Sequence, residues 1–135
     1  MMNEIVISTD NSILNIKFIN DFIMNSYWGK GRKIEETEKC IDNSLNFGIY
    51  MDDVQFGYAR VVTDYTIFAY LMDLFIAEPM RGKGYSIKLM NEIVNHPKLN
   101  QVKNWKLATT DAHDLYKKYG FELLGNPEFV MERKL

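Results

Sequence analysis

Residues 66–90 read TIFAYLMDLFIAEPMRGKGYSIKLM, an apolar run that stops at Glu78-Pro79 and passes through a glycine-lysine-glycine turn into a pattern of helical period. Few folds accommodate that junction. The run is apolar at both parities from Ile67 to Ala77, as expected of a central strand covered on both faces of its sheet. Beyond the turn, Ser86, Leu89, Met90, Ile93 and Val94 share one helical face, and His96-Pro97 closes the helix predicted over 82–95. Glycine inside an element costs roughly 0.5–1 kcal/mol relative to alanine, so Gly82 and Gly84 call for a reason. A helix starting in such a turn presents unpaired N–H groups and the positive end of its dipole, and bare backbone lets an anion approach within hydrogen-bonding distance.

The flanking sequence builds a mixed α/β unit around this junction. EIVIS (4–8) is rich in strand formers. Asn11 or Ser12 is placed to cap a helix carrying Ile13, Ile16, Phe18, Ile19, Phe22 and Ile23. The loop SYWGKGRK leads to a more polar helix from Ile34 to Asn43. FGIYM and QFGYARVVT then flank an Asp-Asp turn as a hairpin. NWKLATT predicts a short strand, and Asp111 is placed to cap a last helix, DAHDLYKKY, ended by Gly120. FELLG and FVMERKL predict two final strands. The expected order is β-α-α-β-β-β-α-β-α-β-β in a single domain over 1–135, with no repeat or linker.

Bulk properties narrow the function. With 16 basic and 18 acidic residues and a formal charge of -2, nothing global draws the chain to nucleic acid or an anionic membrane. Any phosphate site must be local. The one cysteine, Cys40, excludes an internal disulfide and a cysteine metal cluster and fits a reducing cytoplasm. The N-terminus lacks a basic-then-apolar signal pattern, and the 67–77 run is too short to span a bilayer.

Three phosphate-binding patterns compete for RGKGYS. A nucleotide P-loop needs G-x-x-x-x-G-K-[ST], which neither RGKGYS nor WGKGRK supplies. A dinucleotide fingerprint needs a third glycine where Ile87 stands. The remaining pattern is Arg or Gln, two residues, Gly, one residue, then Gly or Ala, with Arg81, Gly84 and Ser86 at its fixed places. In this the chain resembles the GCN5-related N-acetyltransferase (GNAT) family, and LYKKYGF is similar to the family's later L-Y-x-x-x-G-F signature. SYWGKGRK, ARVVTDYTIFAYLMDLFI and LATTDAHDLYKKYGF also look like an uncharacterised bacterial branch of it. The resemblance covers nearly the whole chain and implies a mostly antiparallel sheet with helices on both faces.

It also implies a site. Acetyl-coenzyme A is the implied cofactor, its pyrophosphate held by the turn Arg81, Gly82, Lys83, Gly84, Tyr85 and Ser86. Its pantetheine would lie along the backbone of Leu74, Phe75 and Ile76, where one N–H serves the developing oxyanion. Ser86 replaces the usual Gly or Ala but is small and carries a hydroxyl, and Thr109 stands where many members have Asn. Tyr116 is the implied general acid: a phenol, with ordinary pKa about 10, is protonated at neutral pH and can protonate a leaving thiolate. Asp73, an acid in an apolar strand, is the candidate base, its pKa expected to rise with burial; a structural pair with Arg60 is the competing assignment. Tyr27 and Trp28 fall where the family builds its acceptor pocket. The reading is therefore an N-acetyltransferase acting on a small-molecule amine in a ternary complex, needing no metal and compatible with a homodimer. The rival is a noncatalytic acyl-coenzyme A sensor of the same fold.

Overall fold

The computed structural model describes residues 3–135. Five strands, β1 (Ile5–Ser8), β2 (Leu45–Met51), β3 (Val54–Thr63), β4 (Phe68–Ile76) and β5 (Asn104–Lys106), lie side by side in sequence order. The first four are antiparallel; β4 and β5 run parallel. Four helices, α1 (Ile16–Met24), α2 (Ile34–Asp42), α3 (Tyr85–Asn95) and α4 (His113–Lys117), cover both faces. No helix among the described residues is long and apolar enough to cross a membrane.

Local chemistry explains most boundaries. The β2–β3 hairpin turns on Asp52 and Asp53, both in the left-handed region (φ 49° and 70°) that aspartate tolerates better than most residues. The first helical segment differs from expectation. Asp10 caps a short 3-10 turn over Asn11–Ile13, and Asn15 caps α1, its side-chain oxygen accepting the Phe18 N–H at 3.0 Å. At the other end of the chain, Asp111 does not cap α4: the N-cap residue is Ala112, with no side-chain capping bond, and the Thr109 hydroxyl oxygen accepts the Ala112 N–H at 3.1 Å. Gly120 (φ 87°) ends this segment, and the Phe121 N–H returns to the Tyr116 carbonyl as in a glycine-terminated helix.

The core is double. On one face Ala59, Val61, Ala69, Leu71 and Ile76 pack against Leu89, Met90 and Ile93 of α3; on the other Tyr58 and Phe75 meet Ile19 and Ile23 of α1 and Ile41 of α2. Burying each large aliphatic side chain contributes roughly 1.5–3 kcal/mol. Strand β4 feeds both cores, and a bulge within it changes which parity faces which core. Tyr58 pairs with Phe75 and Arg60 with Met72, so Ala59 alone opposes both Asp73 and Leu74. Before the bulge Ala69 and Leu71 face α3; after it Ile76 does, and Phe75 turns to α1. One inserted residue inverts the parity of the residues that follow it.

Two expectations are corrected. FELLG and FVMERKL form no strands; residues 121–135 run without sheet pairing apart from a 3-10 turn over Pro127–Phe129. NWKLATT contributes only its first three residues to β5. Past that point the chain leaves the sheet, and the gap it opens is the candidate site.

Candidate active site

The pairing of β4 with β5 lasts from Phe68↔Asn104 to Tyr70↔Lys106. Beyond Tyr70 the two diverge, leaving one edge of β4 without a neighbouring strand and opening a cleft of about 500 Å³. Its floor is β4 from Leu71 to Ile76, its far wall the segment 107–112 with Leu115 and Tyr116, and its near wall Phe22, Tyr27, Trp28 and Arg32. A smaller hollow of about 190 Å³ adjoins it at the start of α3, lined by Met80, Gly82, Gly84 and Tyr85 and sharing Ile76, Arg81 and Ser86 with the cleft.

The turn at the start of α3 has the chemistry of an anion site. Gly82 and Gly84 have φ of 76° and 82°, which side chains other than glycine rarely adopt. No backbone carbonyl among the described residues accepts from the amides of Gly82 through Ile87, so a run of N–H groups is left for another acceptor. A side chain begun at either glycine would meet no atom within 4 Å, so the turn opens outward and is intolerant through its backbone conformation. Arg81 is partly committed elsewhere. Its Nε donates to the Ile76 carbonyl at 2.9 Å, and its guanidinium lies 5.9 Å from the centre of the Phe22 ring. Lys83 is exposed beside the turn, and the Tyr85 ring packs edge-on against Phe56 at 4.9 Å.

Tyr116 stands on the far wall with its ring in the core against Phe121, centroids 6.0 Å apart. Its pKa is pushed up to about 12, first by burial and then by the nearby Tyr27 and Asp111, so it is a protonated phenol across the neutral range. Tyr119, one turn later, ties α4 to α3: its hydroxyl donates to Asn91 Oδ1 at 2.9 Å and sits 3.1 Å from the Ile87 carbonyl. The segment carrying the phenol and the helix carrying the glycine turn are thus joined directly.

Asp73 lines the cleft but not as expected. Burial alone would raise its pKa, yet hydrogen bonds and charges from Arg32 and Arg60 outweigh burial and lower it. Oδ2 accepts from Arg60 Nε at 2.6 Å and from Arg32 at 2.7 Å, and Oδ1 accepts from Trp28 Nε1 at 2.8 Å. The expectation of a raised pKa is therefore corrected: a carboxylate held by three donors is a poor proton acceptor. The competing assignment, a pair with Arg60, is present and extended by Arg32, which sequence reasoning had not singled out. Asp73 φ is 56°, the strained conformation of the bulge, and it delivers the carboxylate to the loop 26–32.

Tyr27 and Trp28 both line the cleft, ring centroids 5.2 Å apart and edge-on, with Phe22 beside Trp28 at 6.2 Å. The Thr110 N–H approaches the Tyr27 hydroxyl at 3.4 Å, bridging near and far walls. Thr109 lines the cleft, its hydroxyl oxygen accepting the Ala112 N–H. Cys40, Glu78 and His113 do not line it. Phe22 and Asp111 do, and helical period alone had assigned Phe22 only to the core.

The splayed β4 and the glycine turn of free amides thus face a tyrosine across one gap. Residues 42–123 match the acetyltransferase (GNAT) domain family. A crystal structure from Xanthomonas campestris pv. campestris, assigned to the GNAT family, is 40% identical and superposes with a TM-score of 0.94 over 100% of this chain and 96% of that one. The chain belongs to the GNAT acetyltransferase family. An aminoglycoside N-acetyltransferase solved with CoA shares the fold (TM-score 0.71, 14% identity, 99% and 97% of the two chains). So does a protein from Clostridium acetobutylicum classed as an acetyltransferase and solved with acetyl-CoA (TM-score 0.66, 16% identity, 98% and 96%). None of the curated proteins compared with the sequence matches it.

Proposed function

We propose that this protein is an N-acetyltransferase that moves acetyl from acetyl-CoA to the amine of a small molecule by direct attack, both substrates occupying the cleft together. The observation that carries this is the unpaired edge of β4 lying across the cleft from a protonated tyrosine, with the free amides of the α3 turn adjoining. The amides from Gly82 to Ser86, with Lys83 beside them, suit a pyrophosphate. The open backbone of Leu74, Phe75 and Ile76 suits an extended amide-bearing chain laid beside it as an added strand.

When bound, acetyl-CoA supplies the acetyl group as an activated thioester. The chain's own part is to position and to move protons. A main-chain N–H on the β4 edge meets the oxygen on which charge develops. The Tyr116 hydroxyl gives the departing sulfur its proton, and the proton that the attacking amine loses passes to solvent, from which the phenolate is reprotonated. Asp73 positions Trp28 and Arg32 and takes no proton; Tyr27 and Trp28 wall the acceptor side. Cys40 lies on α2 outside the cleft, so a covalent acetyl-cysteine step has no support in the geometry.

The chain acts in the reducing cytoplasm and as a homodimer on this reading. Phe129 and Met131 are 78% and 92% exposed in a tail rich in strand formers, and β5 is an edge strand, so a second copy pairing with the tail would cover both. The functional test is thiol release from acetyl-CoA on addition of amines. Amine-dependent release is expected; tight acetyl-CoA binding with no release by any amine would favour the sensor.

A further inference from the structure

We propose that the acceptor amine also carries a carboxylate, bound by Arg32 on the near wall of the cleft. This rests on the acetyltransferase reading and goes beyond it by assigning the acceptor's second functional group.

The argument begins with a charge imbalance. Arg60, Asp73 and Arg32 form one cluster with two guanidiniums and one carboxylate, and no other acidic side chain among the described residues lies within salt-bridge distance of either arginine. Asp73 brings one negative charge against two positive ones: one oxygen takes Trp28, the other takes both arginines. Arg60 is the inner member, and its further donor reaches Ser44 Oγ at 3.2 Å. Arg32 is the outer member. It lines the cleft, and its contact with Asp73 uses one of its terminal nitrogens, with no second acceptor for the rest of the guanidinium among the described residues. A partly buried guanidinium with free N–H groups beside a cavity is matched by an anion that can accept two bonds, and a carboxylate has that geometry.

The surroundings select among anions. The phosphates of the cofactor already have the α3 amides, in the adjoining hollow. Phe22, Tyr27 and Trp28 line the same cleft as Arg32 and make its near wall aromatic, suited to an organic acid with an apolar body. On the opposite wall Asp111 lies close enough to Tyr116 to raise its pKa, so a negative charge stands on the side where the amine must react. Arg32 on one wall and Asp111 on the other match a zwitterion, its amine toward Tyr116 and its carboxylate toward Arg32.

The test is calorimetric titration of acceptor pairs that differ only in the carboxylate, phenylalanine with phenethylamine, tyrosine with tyramine, histidine with histamine and lysine with cadaverine, into CoA-saturated protein. In at least one pair the carboxylate member is expected to bind about 10–100-fold more tightly, the range for a hydrogen-bonded charged group. Arg32→Gln should remove that preference, and Arg32→Lys, which keeps the charge without the fork, should keep part of it. Equal binding within every pair, absence of binding by every carboxylate member, or a preference that survives Arg32→Gln overturns the proposal. If Arg32→Gln does not fold, the wild-type ratio and Arg32→Lys still decide. Acetyl-CoA titrated into the same wild-type protein separates the two levels: binding without a carboxylate preference sinks this inference alone, whereas no acetyl-CoA binding sinks the acetyltransferase reading beneath it.

Discussion

Asp73 carries more of the site's architecture than its single position suggests. It sits at a bulge in a left-handed conformation, and its carboxylate gathers Trp28, Arg32 and Arg60. Removing one partner of a buried ion pair typically costs about 3–5 kcal/mol because the other charge is left uncompensated. Asp73→Asn should therefore lose stability on that scale in denaturant unfolding and loosen the loop 26–32, seen as faster amide exchange there. The sign of the pH dependence follows from the lowered pKa. The stability Asp73 contributes is complete above the unfolded value, near 3.8, and is lost as pH falls through the lower folded value. Wild-type stability should thus retain an acid-side dependence that Asp73→Asn lacks, and coincident profiles below pH ~4 would contradict the pairing. Tyr116 behaves oppositely. With its pKa raised to about 12, it should cause no loss of rate between neutral pH and about 10, so a basic limb traced to Tyr116 in that window would be wrong for this site.

At the scale of elements, the glycine turn and the splayed strand make the site, and they were not equally legible. Gly82 and Gly84 announced a left-handed turn through their spacing before a helical period, and both adopt positive φ. The α3 face of Leu89, Met90 and Ile93 was readable for the same reason, since periodicity reports burial directly. The bulge was not readable: a run apolar at both parities looks the same whether a strand is covered on both faces or changes face midway. The triple engagement of Asp73 was hidden too, because Trp28 and Arg32 lie more than forty positions away in sequence. Only the Arg60 pairing, a neighbour across the β3–β4 ladder, was foreseeable. The final strands failed for another reason, since strand propensity in FVMERKL says nothing about whether a partner edge is present. Gly84→Val is the prediction at this scale. A β-branched residue at φ 82° is strained although space is free, so the turn should change shape and acetyl-CoA affinity should fall at least tenfold by calorimetry while α3 still folds. Unchanged affinity in the folded variant would remove the turn from the cofactor site.

For the whole molecule, one sheet serves two cores and one gap. The face toward α3 and α4 supports the proposed cofactor side, the face toward α1 and α2 supports the proposed acceptor side, and the divergence of β4 from the segment after β5 opens the cleft between them. The exposed tail bears on assembly. Sedimentation should report a dimer that Phe129→Asp with Met131→Asp converts to a monomer; a monomeric wild type would mean the tail needs no second copy. The central claim, that the cleft catalyses transfer and does not merely sense its ligand, is tested most directly by Tyr116→Phe under single-turnover conditions with saturating amine. Phenylalanine keeps the ring that packs on Phe121 and removes only the hydroxyl proposed as the acid, so folding and acetyl-CoA affinity should persist while the rate falls roughly 10²–10⁴-fold. A Tyr116→Phe protein that transfers acetyl at the wild-type rate would contradict the account.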